Sequence, residues 1–311
     1  MAAENILHFE RSEEPVPPYD PDEDSDFQAY TRKHFRIDST RKSLQDLAHR
    51  AWIGVRKMNV SEDFYNSPKL YRRDGTMVQL QKVEIEGGIL EIRLLPVNES
   101  HLMSMVARST YWFAEVPNKL SGEIMEKEVF PIPLVIKDML NNPHPPVPKI
   151  TRIVAAPVFS KDGKIATTPG YHESSRTYYN QPPGFSIDDV PLEPTQADLD
   201  RALGFVELLL EEFPFVADSD RRHALSMMLN PFVRAMIVGP TPMYMVEAPT
   251  RGTGKGKLAK ACLLPALNEP PLVFIPTAND EEMRKRMFAM VAGAPEAIMI
   301  DNIDDTINTQ N

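Results

Sequence analysis

The chain has 311 residues, enough for two domains, and its 42% hydrophobic and 25% charged content is ordinary for a globular protein. A single cysteine, Cys262, excludes an internal disulfide framework and a cysteine-rich zinc module, and points to a reducing compartment. The net charge of −10 is uneven: residues 1–30 hold nine acids against one base, Arg11, so the acidity belongs to the tail and does not argue against nucleic-acid binding by the remainder.

No run approaches the ~20 apolar residues of a membrane span, and MAAENILHFERSEEP has neither the basic region nor the long apolar core of a secretory signal. A cytoplasmic protein that does not enter membranes is expected. Residues 1–35 (EEPVPPYDPDEDSD at their centre) bury too little to offset the entropy of ordering, so they are expected to be disordered. The functional alternative is an acidic arm competing with nucleic acid for a basic groove.

Residues 36–190 read as an α+β domain of unknown role. Leu44, Leu47, Ala48, Ala51, Trp52, Val55 and Met58 repeat at helical spacing over 39–58, with Ser39 or Thr40 as the cap. From Leu70 to Leu94, apolar alternation broken by Arg73-Asp74-Gly75-Thr76 and Glu86-Gly87-Gly88 predicts an antiparallel meander. Short helices are expected over 100–113 and 133–141, and a second β unit over 150–170. The most site-like cluster is His172 beside Glu173 with Tyr171, Tyr178 and Tyr179, against which stands the reading of an aromatic loop. No nucleophile–base set and no metal-ligand cluster is visible there.

Residues 191–238 read as a helical lead-in. Thr195-Gln196-Ala197-Asp198 is capping-box-like and opens a helix with Leu199, Ala202, Leu203, Val206, Leu209 and Phe213 on one face. Ser219 is the expected cap of a second helix, with Ala224, Leu225, Met228, Leu229, Phe232 and Met236 inward and a kink at Pro231.

Residues 239–311 carry the chemistry. An apolar run, Met243–Val246, is followed by Pro249-Thr250-Arg251-Gly252-Thr253-Gly254, then Lys255, then an apparent helix. Strand, glycine-bearing loop, lysine and helix is the order of a P-loop. Its glycines turn backbone N–H groups onto a phosphate, the helix N-terminus faces the same anion, and the lysine reaches the outer phosphates. Two positions depart from G-x-x-x-x-G-K-[S/T]: Pro249 stands at the first glycine and Gly256 at the Mg²⁺-binding hydroxyl. The bland alternative is a glycine-rich loop between a strand and a helix. Downstream, Ala297–Ile300 ends in Asp301 and Asn302, a Walker B-like strand that sets a carboxylate beside the loop for Mg²⁺. The expected order is strand 243–247, helix 254–264, strand 272–275, helix 280–292 capped by Asp280, strand 297–301. This is a partial α/β P-loop NTPase core with a parallel βαβαβ sheet. Residues 302–311 are polar, and the chain is expected to be a fragment of a longer protein or a product cut short. Cys262 falls on the presumed core face of the loop helix.

PMYMVEAPTRGTGKGKLAK, followed by TANDEEMRKRMFAMVAGAPEAIMIDN, resembles the ATPase domain of primase-helicase-type proteins of phages, plasmids and mobile elements, relatives of AAA+ and superfamily 3 helicases. The resemblance covers roughly residues 130–311. It implies that Lys255 and the loop Gly252, Thr253, Gly254, Gly256 and Lys257 hold ATP, that Asp301 holds Mg²⁺, and that Asn302 stands where the family often has a second acid. Asp304 and Asp305 are close in sequence. It further implies a homo-oligomeric ring acting on single-stranded DNA. A non-catalytic nucleotide-binding regulator is the alternative from another class; a small-molecule or nucleotide kinase fits the long helical lead-in poorly. No primase signature is present.

Overall fold

The computed structural model describes residues 34–40, 43–60, 69–85, 89–118, 122–187, 190–191, 193–250, 252–277, 279–292 and 295–303. All but the last two residues of the expected acidic tail lie outside these, as do Arg41, Lys42, Arg251, Asp304 and Asp305. No helix among the described residues is long and apolar enough to cross a membrane.

The described residues fall into two compact units, one from Met1–Ser67 and Asn98–Asn142, the other from Pro68–Val97 and Pro143–Asn311. The boundaries thus differ from a single 36–190 domain: the meander groups with the later half of the chain. The reason is local pairing. Arg72 N–H donates to Pro148 O (2.8 Å), Ile150 N–H donates to Arg72 O (3.0 Å), and Tyr71, Val78 and Ile150 share a core.

In the first unit, β1 (Arg36–Asp38) pairs parallel with β5 (Tyr111–Pro117), which pairs antiparallel with β6 (Ile124–Glu128). Helices α1 (Leu44–Val60), α2 (Glu99–Ser109) and α3 (Pro133–Leu140) pack together. The helical stripe of α1 is buried as its spacing predicts, from Leu47 to Met58. Its cap is a correction: Ser43, not Ser39 or Thr40, accepts from Asp46 N–H (3.2 Å), while Ser39 donates to Phe113 O (3.0 Å). The helix expected over 100–113 stops at Ser109. Tyr111, Trp112 and Phe113 are strand residues instead, a consecutive aromatic run that favours a pleated surface.

In the second unit, β2 (Lys69–Arg73), β3 (Thr76–Ile85) and β4 (Ile89–Pro96) form the expected antiparallel meander. Asp74 and Gly75, at φ 49 and 79, make its first turn. A small sheet orders β7 (Arg152–Val154), β9 (Thr177–Tyr179) and β8 (Gly170–His172). Tyr171, His172, Tyr178 and Tyr179 of the expected cluster are therefore sheet, while Glu173 lies exposed in the turn between the strands. Tyr171 stacks tilted on Tyr71 at 5.0 Å between ring centres, its hydroxyl donates to Lys149 O (2.7 Å), and Tyr179 is buried.

Helix α4 (Gln196–Leu210) opens on the predicted capping box: Thr195 Oγ1 accepts from Asp198 N–H (3.3 Å) and Thr195 N–H donates to Asp198 Oδ2 (3.0 Å). Its expected inward face is corrected in part: Val206 and Phe213 pack against the core as expected, but Leu199, Leu203 and Leu209 are exposed and the helix's buried residue is Leu210. Helix α5 (Asp218–Val233) starts at Ala217, whose N–H donates to Asp220 Oδ2 (3.0 Å), so Ser219 is not its cap. Pro231 lies inside its last turn, and a 3₁₀ turn, Arg234–Met236, follows. Ala224 and Met228 point inward as expected, with Met227, while Leu229 and Met236 are exposed.

Helix α6 (Lys255–Leu267), β10 (Leu272–Phe274), α7 (Asp280–Ala292) and β11 (Ile298–Ile300) follow, β10 pairing parallel with β11. Asn279, not Asp280, caps α7, its Oδ1 accepting from Glu281 and Glu282 N–H (both 3.1 Å). The strand expected over 243–247 is absent: residues 241–248 carry no regular element. That segment is fixed by a side chain. Tyr244 packs on the α4–α6 core and shares a 2.9 Å hydrogen bond with Ser226, while Met243 and Met245 are exposed. An apolar run alone does not supply a ladder partner.

Candidate functional site

The loop before α6 is shaped by two glycines. Gly252 and Gly254 lie at φ 81 and 91, in the left-handed region that strains any L side chain. Thr253, between them, donates from Oγ1 to Thr250 O (3.2 Å). The first helical bond of α6 runs from Leu258 N–H to Gly254 O (2.9 Å). The N–H groups of Lys255, Gly256 and Lys257 precede it and have no partner in the helix, and Gly254 has no side chain to cap them. Such an N-terminus is suited to an anion, and Lys255 stands at its first position. Gly256 differs from the other two glycines. Its φ is not left-handed, and a Cβ there would meet nothing within 4 Å.

Asp301 directly follows β11. Its N–H donates to Phe274 O (2.9 Å), which extends the parallel pairing by one residue, and the residue is exposed. Asn302 takes φ 56, a left-handed conformation that Asn tolerates better than most residues, and its N–H donates to Asp301 Oδ1 (2.9 Å). Helix α6 and the approach to β11 share one core: Cys262 and Leu263 are buried in it with Leu210, Ala224, Met227 and Met228, and Ala297 packs against it. Burial pushes the Cys262 thiol up to about 11, so it is a core residue rather than a nucleophile. Lys255 and Asp301 form no ion pair with each other. No group of three or more His, Cys, Asp and Glu is gathered to hold a metal among the described residues.

Two further features escape sequence reasoning. A cleft of about 570 Å³ is lined by Phe205, Leu208 and Leu209 of α4, by Glu212, Phe213 and Pro214 after it, and by Thr253 and Lys257 of the loop and α6. The other is a buried ion pair, Arg152 Nε to Glu296 Oε1 at 3.8 Å. An acid inside the apolar stretch before β11 was the signal for it; nothing in the sequence indicated its partner. No protein-family model, curated protein or solved structure matches the chain.

Proposed function

We propose that residues 239–311 bind ATP with Mg²⁺, as the nucleotide-binding part of a helicase-like ATPase in the DNA replication of a phage or mobile element. In this reading the protein is cytoplasmic and works as a homo-oligomeric ring on single-stranded DNA. The observation that carries the reading is the pair of left-handed glycines, Gly252 and Gly254, opening directly onto Lys255 at an uncapped helix N-terminus. The N–H groups of Lys255–Lys257 hold phosphate oxygens, and the Lys255 ammonium neutralises the outer phosphates. Asp301 fits a hard cation, being an exposed carboxylate with Oδ1 occupied by Asn302 N–H and its other oxygen unclaimed by any described hydrogen bond. Mg²⁺ held there would offset the charge that develops on the phosphates.

The test is Lys255→Ala in the full chain, assayed by calorimetric ATP titration with the fold monitored by circular dichroism. Loss of binding with the fold retained is expected; undiminished binding would sink the assignment.

A second reading, nucleotide binding without turnover, is favoured by Gly256, which offers no hydroxyl to a metal, and by Asn302, which is no base. Phosphate release measured with and without single-stranded DNA separates the two.

A further inference from the structure

We propose that the cleft between α4 and the loop receives the base of the nucleotide, and that Glu212 selects a base bearing an exocyclic amino group. This rests on the phosphate site proposed above. The geometry joins the two places. Thr253 and Lys257 belong to the loop and to the first turn of α6, and both line the cleft. A Cβ built on Gly254 would lie 4.0 Å from Phe213 Cε1, so the Phe213 ring abuts the glycine at which α6 begins. A triphosphate seated on the N–H groups of Lys255–Lys257 thus has an apolar, aromatic surface at its side.

The lining suits a base. Phe205, Leu208, Leu209, Phe213 and Pro214 offer flat and aliphatic surface to a π-face, and a volume of about 570 Å³ lies within the range of small-ligand sites. Phe205 and Leu208 are each 69% exposed, an unusual state for large apolar side chains on one helix face, and burial under a base would remove both from water. Glu212 is the carboxylate of the lining and Lys257 its cation. The lysine faces phosphate charge. A carboxylate is an acceptor only, and what a base offers an acceptor is N–H: the amino group at C6 of adenine, against a carbonyl at the same carbon of hypoxanthine.

The experiment uses the full chain, Mg²⁺ and three probes: ATP, inosine triphosphate and inorganic tripolyphosphate. Phe205→Ala and Glu212→Ala are both at exposed positions, so neither removes core packing. Tripolyphosphate is expected to bind the parent and both variants alike. Phe205→Ala weakens ATP by about tenfold. Glu212→Ala removes the several-fold preference for ATP over inosine triphosphate. ATP affinity unchanged in Phe205→Ala, or an equal loss for ATP and tripolyphosphate, overturns the base site. Tripolyphosphate binding with ATP no tighter overturns it too, while leaving the phosphate site standing. If the parent binds none of the three, the phosphate site falls and the base site with it.

Discussion

Glu296 Oε1 lies 3.8 Å from Arg152 Nε, and the two side chains are 6% and 17% exposed. Arg152 sits on β7 and also donates from Nη2 to Pro231 O in the last turn of α5 (3.2 Å). The pair therefore ties three places together: the small sheet, the end of α5, and the approach to the strand that precedes Asp301. Neither Glu296 oxygen accepts a hydrogen bond among the described residues. Burial pushes the Glu296 carboxyl up to about 7, and the attraction of Arg152 pulls it back only in part. Burial also lowers the Arg152 guanidinium, which Glu296 supports and Arg234 opposes. A buried charge that lacks hydrogen bonds costs more than one partner at this distance returns.

A pH dependence follows, and its sign is opposite to that of an exposed salt-bridged acid. Unfolded, Glu296 releases its proton near 4.5; folded, near 7. Between these values the folded chain holds a proton that the unfolded chain has lost. Stability contributed by this group is present below pH 4.5 and falls as pH rises to 7, by about 3 kcal/mol in all. Glu296→Gln copies the protonated form. Denaturant unfolding is expected to give nearly equal stabilities for parent and variant near pH 4, with the variant ahead at pH 8. Parallel pH profiles for the two proteins would show that Glu296 ionises as if exposed.

Two glycines at the start of α6 make opposite demands on a side chain. Gly254→Ala places a Cβ at φ 91 and is expected to cost about 1–2 kcal/mol, with at least tenfold weaker ATP binding as the N–H groups of α6 turn away. Gly256→Ser faces open space without a left-handed φ. It replaces the poorest non-proline helix former and is expected to gain about 0.5 kcal/mol. It also restores a hydroxyl where Mg²⁺ is expected, so tighter ATP binding should appear in Mg²⁺ and not in chelator. Unfolding midpoints and paired titrations measure both. If Gly256→Ser weakened binding in Mg²⁺, the metal would lie elsewhere.

What was legible in the sequence was local. The Asp74-Gly75 turn with its flanking alternation gives the meander, Thr195 with Asp198 gives the start of α4, and the glycines around Thr253 mark the loop. Pairing partners were not legible. Met243–Val246 has the composition of a strand, yet Tyr244 holds it by a side-chain hydrogen bond and it pairs with no strand among the described residues. Tyr111–Phe113 are expected at the end of a helix, whereas Trp112 meets Ile37 across a parallel pair. The cleft was missed for a related reason. Spacing placed Leu199, Leu203 and Leu209 in the core with Val206 and Phe213, whereas Val206 and Phe213 pack against the core, α4 buries Leu210 and the three leucines are left exposed.

Asp301 has a testable part in metal dependence. Asp301→Asn keeps the size and removes the charge that a hard cation needs. ATP affinity in chelator is expected to be unchanged, whereas the gain on adding Mg²⁺ should fall by about tenfold or more. Titrations with and without Mg²⁺ decide it, and a full Mg²⁺ gain in the variant would remove Asp301 from the site.

Gly54, in α1, tests how closely the first unit is packed. A Cβ there would lie 2.4 Å from Thr110 Cγ2 and 2.6 Å from Ser109 O. On propensity alone, Gly54→Ala should gain about 1 kcal/mol. The contacts oppose this. Ser109 O is backbone at the end of α2, and Thr110 cannot swing its methyl away, because its Oγ1 accepts from Trp112 Nε1 (2.8 Å) and donates to Val106 O. Overpacking against fixed atoms costs about 1–3 kcal/mol, so net destabilisation is expected. Thr110→Ser keeps the hydroxyl and deletes the methyl. Combined with Gly54→Ala, it should recover part of the loss, leaving the clash with Ser109 O. Equilibrium denaturation of the two single variants and the double variant gives the coupling directly. A stabilised Gly54→Ala protein would mean that α1 and the end of α2 stand further apart than described.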